Sequence, residues 1–272
     1  ELTRNVTVCL RLAGLEAPAH LQGTAFLGPK AGPARELIFG GKDRQGECAD
    51  TIRYVRDGRF QYNRNFHPEV PFGQYMSYNW QHASMRVWEQ LHRAGQLSGA
   101  PARFLAPTKP VEELYDVQRD PWQINNLAGD PRRAADLARL RQTLYARMRQ
   151  AGDLGLLPER ELHARAKEST PFAIATDARL NPLDDLIGAA EIANRGDARD
   201  LPRLSQLLHA RDAAVRWWGA IGLLTLQAKA APAKPALLAA LQDSSPDVRV
   251  VAAEALAHLG ERAAALAALE RA

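Results

Sequence analysis

A segment near the end of the chain repeats itself. Asp212-Ala213-Ala214-Val215-Arg216 superimposes on Ser245-Pro246-Asp247-Val248-Arg249 at a constant offset of 33 residues. Leu204, Leu207 and Leu208 precede the first unit, and Leu237, Leu238 and Leu241 precede the second. A second apolar helical pattern follows each unit, over residues 217–226 and 250–259. One helix pair cannot bury its apolar stripe alone, whereas stacked pairs share a continuous core, so this period restricts the region to a stack of helix pairs. The Asp of the unit is expected to cap the second helix, and the Arg to reach a neighbouring cap.

In period and in the recurring Asp-x-x-Val-Arg pattern, the region resembles HEAT-like repeats of the short bacterial kind. A divergent earlier helix over residues 182–193 and a final half-repeat over 262–269 extend the stack. Solenoid stacks offer concave binding surfaces, and Trp217-Trp218 at a helix start is a candidate anchor, one ring in the core and the other exposed. A protein partner is one expectation for these repeats. Another is self-association through the apolar stretch 263–269, which lacks a polar outer face.

The composition shifts near residue 170, where a Pro-, Gly- and aromatic-rich α/β pattern gives way to an Ala- and Leu-rich helical one. Residues 1–170 and 171–272 are therefore expected to form two domains, α+β followed by all-α. With 46% hydrophobic and 24% charged residues the chain has the composition of a globular protein, not a disordered or fibrous one. The net charge of +4 and pI near 9.2 are carried by Arg and Lys interleaved with Asp and Glu, so no nucleic-acid surface is expected. Two widely separated cysteines, Cys9 and Cys48, give no Cys-x-x-Cys spacing and no sign of a disulfide framework or structural zinc. No stretch approaches the roughly 20 apolar residues of a membrane span. The opening Glu1-Leu2-Thr3-Arg4 has neither an initiator Met nor a signal pattern, as expected for part of a longer protein.

In the first region, residues 6–13 read as an amphipathic helix closed by Gly14. Leu37-Ile38-Phe39-Gly40 reads as a short strand. Ile52 to Val55 and Phe60 to Tyr62 alternate around Asp57-Gly58, whose two residues are expected at positive φ in a tight hairpin turn. Residues 80–94 have helical spacing with Gly95 as the stop, residues 113–117 read as another strand, and Pro131 opens a helix that ends at Gly152.

No nucleophile is legible: there is no Gly-x-Ser-x-Gly, and neither cysteine has a His nearby in sequence. The seven histidines, His20, His67, His82, His92, His163, His209 and His258, form no i, i+4 pair and read as surface or half-buried side chains. Asp184-Asp185 at a helix start is explained by the helix dipole. One segment stands out. Lys42, Asp43 and Arg44 follow Gly40-Gly41 in what reads as a loop that could present donors to an anion, Arg offering a bidentate fork for sulfate or carboxylate. A structural role, such as Arg44 pairing with Asp50, is the alternative.

Several motifs of this region resemble the sulfatase family. Ala13-Gly14-Leu15, Pro18 and Leu21-Gln22-Gly23 are similar to the helix and loop after the catalytic core. The Asp43-Arg44 segment, the hairpin over residues 52–65, and Glu113-Leu114-Tyr115-Asp116 with Asp120-Pro121 and Asn126-Leu127-Ala128 are similar to the C-terminal subdomain. Gln123 stands where the family usually has Glu. The resemblance covers roughly residues 5–160. It implies a small antiparallel sheet packed by helices, the C-terminal part of an alkaline-phosphatase-like fold, followed here by an α-solenoid of HEAT-like helix pairs.

The family's Cys/Ser-x-Pro-x-Arg motif, the source of its formylglycine nucleophile, does not occur, since Cys9 precedes Leu-Arg-Leu and Cys48 precedes Ala-Asp-Thr. The resemblance therefore implies that formylglycine and calcium belong to a parent sulfatase, with no catalytic residue, metal ligand or cofactor in this chain. The parent would hydrolyse a sulfate ester or sulfamate of a small molecule or glycan, and this chain alone would be inactive. Lys42, Asp43 and Arg44 are the substrate-binding candidates that the resemblance places near the substrate end of the pocket. It suggests a periplasmic or secreted protein. The alternative is a non-enzymatic scaffold built on a degenerate sulfatase remnant.

Overall fold

A computed structural model describes residues 2–18, 21 and 23–270. His20 and Gln22 lie outside the described residues. The chain divides into two compact units, Glu1–Ile38 and Phe39–Ala272. In the first, helix α1 (Leu2–Leu12) ends before Gly14, whose φ of 79° is the left-handed stop that the sequence implied. Lys30 Nζ donates to Glu16 at 2.7 Å, and Arg11 also pairs with that carboxylate.

The second unit begins with a four-stranded sheet in the order β1 (Ile38–Gln45), β2 (Cys48–Arg56), β3 (Phe60–Asn65), β4 (Glu112–Asp116). A two-residue turn at Gly46-Glu47 joins β1 to β2, a connection that only antiparallel neighbours allow. β2 pairs with β3 through Val55 opposite Tyr62, and β3 with β4 through Tyr62 opposite Leu114, both antiparallel. The hairpin lies where the alternation placed it, but neither Asp57 nor Gly58 has positive φ. Asp57 Oδ1 accepts from the N–H groups of Arg59 (2.8 Å) and Phe60 (2.6 Å), so a side-chain cap holds the turn and a left-handed backbone is not required.

The fixed order of the Glu-Leu-Tyr-Asp and Asn-Leu-Ala motifs has a physical cause. Asn126 Oδ1 accepts from the Leu114 N–H at 3.0 Å, its Nδ2 donates to the Glu112 carbonyl at 3.1 Å, and the Leu127 N–H donates to the Leu114 carbonyl at 2.8 Å. The loop thereby satisfies the open edge of β4. Gln123 adopts a left-handed φ of 55° and accepts at 3.1 Å from Gln61 on β3.

Helices α2 (Ser77–Trp80), α3 (Ala83–Arg93) and α4 (Gly99–Phe104) fill the connection from β3 to β4. A single 3-10 turn, Pro131–Arg133, then opens α5 (Ala134–Ala151), which packs on β2 and β3. Leu140, Leu144 and Met148 lie at i, i+4 and i+8 on its buried face against the sheet that carries Tyr62, Phe66 and Leu114, all fully or nearly fully buried. Burying each such side chain contributes about 1.5–3 kcal/mol. Gly152 ends α5 at φ 60°, and a Cβ there would come within 2.0 Å of the Ala175 carbonyl oxygen, so only glycine permits that approach.

Residues 152–157 lack regular structure but are gripped from every side. Arg53 forks onto Asp153 (2.6 and 2.8 Å), Thr51 Oγ1 donates to the Gly155 carbonyl (3.0 Å), and Trp218 Nε1 donates to the Leu156 carbonyl (2.9 Å). Helices α6 (Glu159–Arg165) and α7 (Pro171–Thr176) follow, and then the repeats α8 (Leu183–Ala193), α9 (Leu201–Leu207), α10 (Ala213–Thr225), α11 (Lys234–Ala240), α12 (Pro246–His258) and α13 (Arg262–Leu269). The architecture is thus a small antiparallel sheet with helices followed by a helical repeat stack. Within it α10 packs on α8, α9 and α12, and α12 on α11 and α13.

The repeat unit works largely as the sequence implied. Asp212 caps α10 by accepting from the Ala214 and Val215 N–H groups (2.8 and 3.3 Å). In the next unit Ser245 occupies the cap without a side-chain bond, and Asp243 takes over by accepting from the Ser245 N–H at 2.7 Å. Arg216 and Arg249 each donate to the carbonyls five and six residues before them. Arg165 pairs with Asp212 and Arg216 with Asp243 through two bonds each, which forms a ladder along the stack. Partial burial opposes the Asp243 charge, but the Arg216 bonds and the Ser245 N–H outweigh it and lower its pKa. Arg216→Ala is therefore expected to cost about 2 kcal/mol at neutral pH. A lowered folded-state pKa places that contribution above the unfolded value of about 3.9, and it fades as pH falls through the folded value. Urea midpoints of both proteins at several pH values check this.

Candidate functional site

Between the sheet module and the repeats lies a cleft of about 1310 Å³. Three walls form it. The strands and the loop after β3 supply Asp43, Arg44, Asp50, His67 and Glu69, the segment after α5 and the start of α6 supply Asp153, Leu157 and Glu159, and the repeats supply Trp217, Asp247, Glu254 and His258.

Lys42, Asp43 and Arg44 are not on a loop, as the sequence suggested, but on β1, which continues through the glycine pair to Gln45. The glycines serve packing across the strand pair: a Cβ on Gly40 would meet the Tyr54 ring at 2.5 Å, and one on Gly41 the Ile52 carbonyl at 2.8 Å. Asp43 and Arg44 border the cleft. Lys42 turns towards Asp50, with Nζ 3.8 Å from its carboxylate. Arg44 pairs with Glu159 across the cleft wall, not with Asp50. Asp43 and Asp153 hold the Arg53 guanidinium between them, at 2.7 and 2.6 Å. Burial opposes the Arg53 charge, yet the two carboxylates more than compensate and raise its pKa. All three candidates are thus engaged in ion pairs, and an anion would have to compete with carboxylates already in place.

Within this wall the Asp50 side chain is fully buried, with Lys109 Nζ 3.0 Å away. Desolvation lowers the Lys109 pKa in spite of that partner. His67 is half-buried, with its Nδ1 2.7 Å from Glu69 Oε1 and its ring stacked on Trp218 at 5.2 Å. Trp218 is fully buried as expected, while Trp217 is half-buried on the cleft and not exposed, its ring packing edge-on against His67 and Trp218. The Asp247 and Glu254 carboxyls both have raised pKa values, because the concave wall desolvates them.

Sequence reasoning set aside His67, His258 and the carboxylates of the second repeat. Their grouping depends on the docking of the repeats onto the sheet module. One signal was available: Asp247, Glu254 and His258 fall at i, i+7 and i+11 of one helix, and Trp217, Ile221 and Leu224 at i, i+4 and i+7 of another, so each set shares a face.

Among the described residues no group of three or more His, Cys, Asp or Glu is placed to hold a metal ion. Cys48 is buried with its Sγ directed at the Tyr75 carbonyl, 3.0 Å away. Among the described residues no helix is long and apolar enough to cross a membrane.

Residues 201–272 match the family model for HEAT repeats. A curated protein named Ulvan-active sulfatase, from Formosa agariphila, is 35% identical over 153 residues, which cover 56% of this chain and 26% of that protein. A second Ulvan-active sulfatase of the same organism is 26% identical over 203 residues, 65% of this chain and 36% of the relative. A solved structure of a protein in complex with its substrate D-glucosamine-2-N,6-O-disulfate aligns at a TM-score of 0.35 and 17% identity, over 54% of this chain and 23% of the other. Over about half its length the chain is homologous to sulfatases, and it spans 26% and 36% of the length of those two curated relatives.

Proposed function

We propose that this chain is the pocket-shaping C-terminal part of a sulfatase that hydrolyses sulfate esters of a polysaccharide, with the nucleophile and metal ligands supplied by another part of the same protein. The observation that carries this is the 35% identity to a sulfatase over 153 residues, together with a β4 edge whose motif order is accounted for residue by residue. Ulvan, named for both curated relatives, is the first substrate to test. On this reading Lys42 and Arg44 give the pocket its cationic edge, and Asp43 holds Arg53 in place. Arg44 exchanges Glu159 for a sulfate oxygen when substrate arrives, a swap of one charge-assisted pair for another.

The test compares sulfate release from ulvan by the protein encoded in the whole reading frame, by its Arg44→Ala variant and by residues 1–272 alone. The isolated chain is expected to release none. Arg44→Ala is expected to raise KM about tenfold with kcat little changed, the signature of a lost uniform binding contact. Sulfate release by residues 1–272 alone, or an Arg44→Ala enzyme with unchanged KM, would overturn the assignment.

A further inference from the structure

We infer that the cleft between the sheet module and the repeats is a carbohydrate subsite for an unsulfated, uncharged sugar unit, with Trp217 as its apolar platform and Glu69, Asp247 and Glu254 as acceptors for sugar hydroxyls. This rests on the reading of the chain as part of a polysaccharide sulfatase and deepens it, by assigning the repeats a role in substrate choice.

Size and shape come first. At about 1310 Å³ the cleft exceeds the ~300–1,000 Å³ of most small-molecule pockets, which suits several rings of a chain better than a single small ligand. Its repeat wall is amphipathic in the way a pyranose is. Trp217, Ile221 and Leu224 line it from one face of α10, and an aromatic body offers area to the C–H face of a sugar at little entropic cost.

Hydrogen-bonding groups come second. The Glu69 side chain is only 9% exposed, it lines the cleft, and its Oε2 has no hydrogen-bond partner among the described residues. On the repeat wall the half-buried Asp247 carboxyl lies near the Glu161 N–H, but its Oδ2 has no hydrogen-bond partner among the described residues. A buried acceptor without a donor is costly, and buried acceptors of this kind are normally matched. Both oxygens are closed to solvent, so a ligand rich in hydroxyl donors satisfies them once a small rotation of each carboxylate turns them into the cleft.

Charge then selects among ligands. Glu69, Asp247 and Glu254 present carboxylates to the cleft, while the arginines of the sheet wall are already neutralised, Arg53 by Asp43 and Asp153, and Arg44 by Glu159. A sulfate or uronate carried into the repeat wall would meet like charge. A strongly cationic peptide would meet Arg160, which opens onto the cleft from α6 near Asp247. A neutral polyol, donor and acceptor together, meets no like charge.

Residues 1–272 titrated with xylotetraose, cellotetraose and mannotetraose, followed by saturation-transfer NMR and tryptophan fluorescence, test the inference. A heparin tetrasaccharide and trilysine serve as anionic and cationic controls. At least one neutral tetrasaccharide is expected to bind saturably. Trp217→Ala and Glu254→Gln are each expected to weaken it about tenfold, equivalent to about 1.4 kcal/mol, while Trp217→Phe retains binding and so shows that loss in Trp217→Ala is not misfolding. Binding of a control in place of every neutral probe, neutral binding indifferent to both variants, or no saturation by any neutral probe up to about 10 mM would each overturn it. None of these readouts requires sulfate turnover. Neutral sugars bound by a chain whose parent releases no sulfate would retain the subsite and remove the sulfatase reading.

Discussion

Arg64→Ala should lower the unfolding free energy by about 3–5 kcal/mol, because it removes one partner from a buried charged network. Arg64 is 1% exposed on β3. Its guanidinium donates to Glu191 on α8 (2.9 Å), to the Tyr145 hydroxyl on α5 (3.0 Å) and to the carbonyls of Asn65 and Val111 (2.7 and 3.2 Å). Tyr145 also bonds to Glu191. Three elements far apart in sequence therefore meet on one side chain, one of them the first repeat helix. Equilibrium denaturation followed by far-UV dichroism and by fluorescence checks the size of the loss. A single coincident transition is expected in the unsubstituted protein, with sheet module and repeats unfolding together. Arg64→Lys should recover little, since a single ammonium cannot reproduce the fork. Glu191→Gln, at a position 37% exposed, should cost much less.

Trp218→Ala should cost a similar amount, about 3–5 kcal/mol, by opening a cavity where a fully buried ring now stands. Two further contacts would go with it. The indole N–H donates to the Leu156 carbonyl, and the ring carries the stacked His67 that in turn meets Glu69. Trp218→Phe separates the effects: the ring contact survives, and the fully buried Leu156 loses its donor at a cost of about 1–3 kcal/mol. Guanidinium midpoints of the three proteins give the comparison. A loss below about 1 kcal/mol in the alanine variant would mean that the repeats do not dock on residues 152–157 as described.

Much of this fold was readable because its signals are local. The alternation on either side of Asp57-Gly58 and Gly152 after the α5 stripe each report on residues a few positions apart, and the 33-residue offset needs only the chain compared with itself. The turn at Asp57 was misjudged because Asp-Gly suits two mechanisms, a left-handed backbone or a side-chain cap, and only the three-dimensional turn selects between them. The Lys42-Asp43-Arg44 segment was misread for a related reason. A glycine pair signals a loop unless the neighbouring strand presses side chains against it, as Tyr54 and Arg53 do here. The cleft was least legible. His67 and Glu254 stand far apart in the chain, and only the docking of the solenoid onto the sheet makes them neighbours on one surface.

The seven residues between α5 and α6 would pass for a spacer on backbone conformation alone, and spacers ordinarily accept an extra residue or a protease nick with little consequence. This one behaves as an axle. Asp153 and Gly155 are held by Arg53 and Thr51 of β2, and Leu156 by Trp218 of α10. An extra residue between Gly155 and Leu156 would put the strand anchors and the Trp218 anchor out of register with one another. Domain-swapping schemes that graft foreign repeats onto such a sheet should therefore cut after residue 157, and carry the whole strip with the sheet.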